Sequence, residues 1–315
     1  MQKLIVLTGP TAVGKTKLSV ALAKRIGGEI ISCDSMQVYR GMDIGTDKIT
    51  AEAIDGVPHH LINVLEPTEP FDVSRFQKMA LAAMEGIYER GHVPLLVGGT
   101  GFYIQSVLYN IDFTETDGDR SIREAYEARV KEEGEASIDA LYEKLRDLDP
   151  DSADAIPKNN VKRVIRALEF FEKTGTPISE HNARERAKES PYDFRYFVLT
   201  DDRQTLYDRI DARVDKMIEY GLVDEVKRLR DMGVTRDMTS MQGLGYREIY
   251  AHLDGEFDLE RAIYLIKRNT RHFAKRQLTW FKREHDVLWI DKRAFEQEHE
   301  RILSWITQMI TNNRK

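Results

Sequence analysis

Cysteine is almost missing from the sequence. Cys33 is the single one among 315 residues, which excludes an internal disulfide and any zinc site built from several thiolates. Long hydrophobic runs are missing too: apolar stretches are short and broken by charges, so none is long enough to span a bilayer. The N-terminal residues, MQKLIVLTG, carry neither the apolar core nor the small-residue cleavage site of a secretory leader, and the expected location is the cytoplasm. Internal repeats and low-complexity segments are absent. Positive charge is not in excess either. The formal net charge is −6, which weighs against a nucleic-acid partner unless basic residues are concentrated locally. What remains, with 41% hydrophobic and 32% charged residues, is a chain of globular composition whose length suits two domains.

Residues 1–110 read as alternating strand and helix. Leu4–Leu7, Glu29–Ser32 and Val93–Val97 are short apolar strands, and Lys17–Arg25 has the spacing of an amphipathic helix. Apolar residues at Phe76, Met79, Ala80, Ala83, Met84 and Ile87 predict a second helix over Phe76–Arg90. Strands alternating with helices point to a parallel α/β sheet. From Ser121 to Phe171 the pattern turns helical, dense in Glu, Lys, Arg, Ala and Leu. Strand texture returns at Phe194–Leu199, and Val287–Ile290 is a last strand. The expectation is an all-helical domain over 112–192, inserted into an α/β core made of 1–111 and 193–315.

Gly9, Pro10, Thr11, Ala12, Val13, Gly14, Lys15 and Thr16 satisfy G-x-x-x-x-G-K-[ST] at every fixed position, between a strand and a helix. In that context glycines let backbone N–H groups turn inward as an anion nest at a helix N-terminus. Lys15 adds a cation, and the Thr16 hydroxyl can ligate Mg²⁺. The expected core is therefore P-loop NTPase-like. A nucleotide-hydrolysing P-loop protein usually carries a carboxylate at the end of a second strand. Here the matching strand runs VPLLVGGTGFY and ends in glycines and a threonine. Asp34, in EIISCDSMQ, does stand at a strand end and is read as next to the glycine loop, placed to act as a base or a metal-linked anchor. Two enzyme classes stay open on these residues: a small-molecule kinase using ATP, and a transferase whose loop grips a departing pyrophosphate.

Local charge is uneven. Arg261–Arg283 holds eight Lys or Arg, one His and no carboxylate. On a helix Arg261, Arg268, Arg271, Lys275 and Lys282 fall along one side, with Ile263, Ile266, Phe273 and Phe281 packing. Lys162, Arg163 and Arg166 repeat at helical spacing, and Arg209 and Arg213 stand one turn apart. A solvated basic face is the ordinary explanation of such runs, but an acid-free helix of this length suits an RNA backbone. His59 and His60, adjacent in extended chain, point opposite ways and make a poor metal pair. Cys33 has no partner base in the sequence and reads as a small buried filler.

The blocks GPTAVGKT, DSMQVYRGMDIGT, PHHLIN, GGTGFYIQ, RALEFFEKTG, GLVDEV, QGLGYRE and TRHFAKRQLTWF together resemble the bacterial tRNA dimethylallyltransferases, the IPP transferase family, in family order from Leu4 to about Phe281. The resemblance implies Mg²⁺-dependent transfer of a dimethylallyl group from dimethylallyl diphosphate to N6 of the adenosine 3′ of the anticodon (position 37), in tRNAs reading codons that begin with U. It implies that the glycine loop holds diphosphate rather than ATP, that Asp34 is the general base, and that Thr16 holds the metal. Arg213 would join Lys15 in stabilising the leaving group. By family position Asp34, Ser35, Met36, Gln37, Thr100, Arg123, Lys162, Arg163, Val164, Ile165, Arg166, Gln242, Gly243, Leu244, Gly245, Tyr246 and Arg247 would contact tRNA. The helical insertion would clasp the anticodon stem-loop, and the enzyme would act as a monomer. GTDK replaces the family's commoner GTAK, a loop change given no functional weight. No zinc-finger extension follows Trp305, from which a bacterial-type member is expected.

Overall fold

The computed structural model describes residues 1–113 and 121–312; residues 114–120 of the expected insertion lie outside it. Six strands form one wholly parallel sheet among the described residues: β1 (Gln2–Thr8), β2 (Gly28–Cys33), β3 (His59–His60), β4 (Val93–Gly98), β5 (Tyr192–Thr200) and β6 (Val287–Asp291). Their order is β3-β2-β4-β1-β5-β6. The chain separates into two compact units, Met1–Leu108 with Pro191–Lys315, and Tyr109–Ser190.

In the sheet unit α1 (Lys15–Ile26), α2 (Ala51–Ile54), α3 (Val73–Glu89) and α4 (Gly101–Leu108) accompany the first four strands. Leu4, Ile5, Val6 and Leu7 are all at most 1% exposed, as a parallel strand covered on both faces requires. Each such side chain stabilises the fold by roughly 1.5–3 kcal/mol relative to exposure. Leu18 and Leu22 of α1 pack with Ile5, Leu7 and Leu95 in one core, while Phe71, Phe76 and Tyr103 form an aromatic group joining α3 to α4.

The strand order corrects one expectation. The strand carrying Asp34 is not beside β1, because β4 lies between them, Leu96 pairing with Val6 on one side and Ile31 on the other. The connection leaving β1 skips one place, and β5 is added on β1's other flank. A ligand crevice forms outside the carboxyl ends of the strands where connections diverge in this way.

The other unit is helical: α5 (Ser121–Glu133), α6 (Glu135–Leu148), α7 (Pro150–Ala155), α8 (Val161–Thr174) and α9 (Ile178–Arg186). Its core is Leu141, Leu145, Ala153, Val164, Ile165, Ala167 and Leu168. The chain then returns to the sheet through β5 and adds α10 (Arg203–Glu219), α11 (Leu222–Asp231), α12 (Tyr246–Leu253), α13 (Leu259–Phe281) and, after β6, α14 (His299–Thr311).

His59 and His60 form a two-residue edge strand, which the sequence pattern alone does not separate from a turn. They point apart. His59 Nδ1 meets the Val57 carbonyl, and His60 Nε2 lies 2.7 Å from Glu29. Glu29, 2% exposed, also receives two bonds from Arg90 and one from His92. The Arg90 guanidinium and the two imidazoles hold its carboxyl down at about 2, against the pull of burial. A depressed carboxyl contributes stability that is present above its unfolded value near 4.5 and is lost as pH falls through about 2. Glu29→Gln is expected to destabilise by about 1–3 kcal/mol at neutral pH, since the buried group that accepts from Arg90, His60 and His92 loses its charge and an acceptor oxygen. The deficit should shrink with acidification, as read from denaturant midpoints between pH 7 and 3. An unchanged midpoint at pH 7 would remove this cluster as a fold determinant.

Candidate active site

The glycine loop follows from two backbone demands. Gly9 has φ +146°, and a Cβ there would sit 2.5 Å from the Leu199 carbonyl. Gly14 caps α1 in the left-handed region at φ +93°, where side chains are disfavoured. α1 then starts at Lys15, two residues before the apolar spacing indicates. The Lys15 residue is partly exposed, but its ammonium turns into the loop and donates to the Gly9 and Pro10 carbonyls, 2.9 Å each. Burial and then the neighbouring Arg213 lower its pKa to about 7, while Asp34 and Asp47 pull it up. Beneath the loop Lys292, also buried, donates to the Val13 carbonyl at 3.2 Å. Thr16 is exposed in the first turn of α1.

Arg213 of α10 reaches the loop directly, 3.2 Å from Thr11 Oγ1 and 3.0 Å from Asp47 Oδ2. Asp47 therefore has a place in the site, contrary to the weight given to GTDK above: it anchors Arg213 and bears on Lys15. The loop carrying it is held by Glu225 of α11, 2% exposed, which accepts from the amides of Asp43, Ile44 and Gly45 and from the Tyr246 hydroxyl. Asp34 ends β2 and spends one oxygen on its own turn: Oδ1 accepts from the amides of Met36 (2.8 Å) and Gln37 (3.3 Å). Ser35 is partly exposed in the same turn, and Gln37 bonds Ser32 and the Thr46 carbonyl.

The tip of β4 leaves no room for a side chain at three of its four positions after Val97. A Cβ on Gly98 would overlap the Cys33 carbonyl, one on Gly99 the Gln277 amide, and one on Gly101 the Trp280 ring. α13 lies directly over this tip. Thr100 follows, its amide bonded to the Cys33 carbonyl at 3.3 Å, which sets it beside the strand end that carries Asp34.

The basic helix divides in two. Arg271 and Lys267 are spent on Asp211 and Asp215 of α10, both at 2.6 Å, so these cations join helices rather than face a polyanion. Ile266 and Phe281 are buried. The outward side is a groove of about 530 Å³ lined by His272, Lys275, Arg276, Thr279, Trp280 and Arg283, with no carboxylate among them. Arg261, Arg268 and exposed Tyr264 continue that side toward the start of α13.

Other expected contacts are distributed unevenly. Lys162 and Arg163 are exposed at the start of α8, and Arg166 is also on an outer face. Val164 and Ile165 are both 2% exposed and build the helical core, since helical spacing turns their side chains away from their basic neighbours. Arg123 is committed within that unit to Glu169, 2.6 Å away. Gln242 is exposed, Leu244 and Arg247 are partly so, and Gly243 and Gly245 are buried. Tyr246 is fully buried with its hydroxyl on Glu225. Cys33 is buried, and burial pushes its thiol pKa up, away from any nucleophilic role.

Comparison with known proteins bears on this geometry. The family model for IPP transferase matches residues 37–284, and that for isopentenyl transferase matches residues 2–63. The chain belongs to the IPP transferase family. A tRNA dimethylallyltransferase of Lachnoclostridium phytofermentans is 56% identical over 98% of this chain and 97% of its own. One from Halalkalibacterium halodurans is 51% identical over 92% and 91%. Among solved structures, the full-length tRNA isopentenylpyrophosphate transferase of Bacillus halodurans matches with TM-score 0.73 and 48% identity, over 98% of this chain and 97% of that one. A eukaryotic dimethylallyltransferase acting on tRNA matches with TM-score 0.85 and 31% identity, over all of this chain and 81% of that one. These IPP transferase relatives favour the transferase over the kinase that the glycine loop alone leaves open. No helix among the described residues is long and apolar enough to cross a membrane.

Proposed function

We propose that this protein transfers the dimethylallyl group of dimethylallyl diphosphate to N6 of adenosine 37 in tRNAs reading codons that begin with U, acting in the cytoplasm as a monomer. The observation that carries the reading is the pairing of a cationic glycine loop with a carboxylate, Asp34, two strands away, together with a basic groove on α13 that has no carboxylate in its lining. Phosphate chemistry without a carboxylate on β4 suits a diphosphate that leaves, and the groove suits an RNA that enters.

Adenine N6 is a poor nucleophile because its lone pair is delocalised into the ring. The base must leave its stack to reach the crevice. Asp34 accepts the N6 proton as the N–C bond forms and the C–O bond to diphosphate breaks, the bonding pair departing with the oxygen. Lys15, the amides from Gly14 to Thr16 and Arg213 meet the charge that builds on the leaving oxygen. Asp47 keeps Arg213 aimed at Thr11 in the loop.

Mg²⁺ suits this site. Among the described residues no three His, Cys, Asp or Glu side chains converge as a metal group, so the ion would be held by the exposed Thr16 hydroxyl and by substrate oxygens, the usual habit of Mg²⁺. When bound it would neutralise diphosphate charge. The helical unit contributes Lys162, Arg163 and Arg166 to the anticodon stem-loop, whose unpaired bases carry the specificity.

The test is incubation with tRNA, Mg²⁺ and labelled dimethylallyl diphosphate, with ATP in parallel. Label in tRNA supports the transferase. ATP turnover onto a small hydroxyl acceptor would restore the kinase, and tRNA retention without either reaction would leave an RNA-binding protein. For the groove, Lys275→Gln with Arg276→Gln is expected to weaken tRNA binding and to reduce the slope of log K against log salt by about 1 per phosphate contact removed. An unaltered salt slope would place the RNA elsewhere.

A further inference from the structure

Gln277 sits inside a run that otherwise reads as RNA-binding, yet it faces the opposite way. It is 5% exposed and uses both ends of its amide. Oε1 accepts from the Thr11 amide at 2.9 Å, and Nε2 donates to the Gly99 carbonyl at 2.9 Å. The partners fix the orientation, since an N–H needs the oxygen and a carbonyl needs the NH₂. One turn earlier Ala274 shares a small buried cluster with Ala12 of the glycine loop and Ile210 of α10, and one turn later Trp280 lies on Gly101. The inward side of α13 thus touches both loops that frame the crevice, and Gln277 hydrogen-bonds the two together.

We infer that Gln277 is a positioning residue for the transfer reaction, setting the distance between the diphosphate-holding loop and the Gly99–Thr100 turn, and hence between leaving group and acceptor base. The inference rests on the prenyl-transfer reading. It makes Gln277 responsible for alignment rather than for affinity. Misplacement of reacting atoms by about 1 Å costs on the order of 100-fold in rate, and Gln277 fixes a gap of that kind through two bonds made by one rigid group.

The amide has a near-isosteric titratable mimic, which gives a test beyond loss of function. In Gln277→Glu the protonated carboxyl accepts from Thr11 and donates to Gly99, as the amide does. The ionised carboxylate has no donor and sets an oxygen against the Gly99 carbonyl. The kcat ratio of Gln277→Glu to wild type should therefore stay within about 3-fold at low pH. It should fall about tenfold per pH unit above the carboxyl pKa, reaching roughly 100-fold by pH 8. Gln277→Met fills the space without either bond and should be slow, by about 100-fold, at every pH. For both variants the tRNA Kd and the donor KM should remain within about 3-fold of wild type. Label transfer to tRNA across pH measures the first two ratios, and filter binding measures Kd. A Gln277→Glu ratio flat in pH, whether high or low, would overturn the inference, as would Gln277→Met at near-normal kcat or a loss confined to KM. Absence of label transfer by the wild-type protein would instead overturn the reaction assigned to it.

Discussion

Replacing Asp34 by Asn is expected to lower kcat for prenyl transfer by roughly 10²–10⁴-fold, the range associated with a positioned general base, while tRNA binding and fold stay intact. The substitution is chosen for its geometry. Asp34 Oδ1 accepts from the Met36 and Gln37 amides, and an Asn carbonyl can keep both bonds, so the turn survives and the proton acceptor alone is lost. Asp34→Ala loses the turn as well, so an Asn variant that binds tRNA normally separates the two roles. Single-turnover label transfer with saturating donor measures the step. Near-normal transfer by Asp34→Asn would remove Asp34 as the base and direct attention to water or to the leaving diphosphate as proton acceptor.

The second large effect belongs to Lys15. Lys15→Met is expected to reduce kcat/KM at least 10³-fold, since it removes the cation inside a loop whose purpose is to meet building negative charge. A subtler signature accompanies the native lysine. Burial and Arg213 lower the pKa in the free protein to about 7, and an adjacent diphosphate favours the charged form and raises it. Between about 7 and that raised value, binding inorganic diphosphate must take up a proton; below about 7 the lysine is already charged and little uptake remains. Calorimetry at pH 8 in two buffers of different ionisation enthalpy should show uptake approaching one proton in wild type and a much smaller uptake in Lys15→Met. Equal uptake in both proteins would assign the proton to another group.

Much of the fold is visible in the pattern of apolar residues. The strands at Leu4, Glu29, Val93, Phe194 and Val287 all form, extended by a residue or two because sheet pairing continues past the last apolar side chain. Strand order is not visible: nothing in VPLLVGG says that it pairs between β1 and β2. The glycine loop is legible because its chemistry is local in sequence, eight consecutive residues with one backbone geometry. Partnerships across long separations are not. Arg271 finds Asp211 and Gln277 finds Thr11 only after folding, so a basic run looks uniformly solvent-facing until its inward members are identified. Family blocks likewise do not separate packing residues from surface ones. Tyr246 and Glu225 stand in distinctive motifs, yet they hold up the loop behind the crevice, and Val164 and Ile165 lie between exposed cations only along the chain. Asp47 shows the converse, an inconspicuous loop position that turns out to anchor Arg213.

The crowded glycines at the end of β4 also limit where mutation can take this scaffold. A carboxylate introduced at Gly98, Gly99 or Gly101 would need a side chain where backbone, amide or indole from elsewhere in the chain already fills the space, which leaves Thr100 as the position at this tip that already carries a side chain. Gly99→Asp alone collides with Gln277. At Gly99 or Gly101 the change would first have to vacate α13's inward side, giving up the alignment that Gln277 and Trp280 provide. The glycines tie the end of β4 to the packing of α13, so a side chain added there is felt at the glycine loop as well.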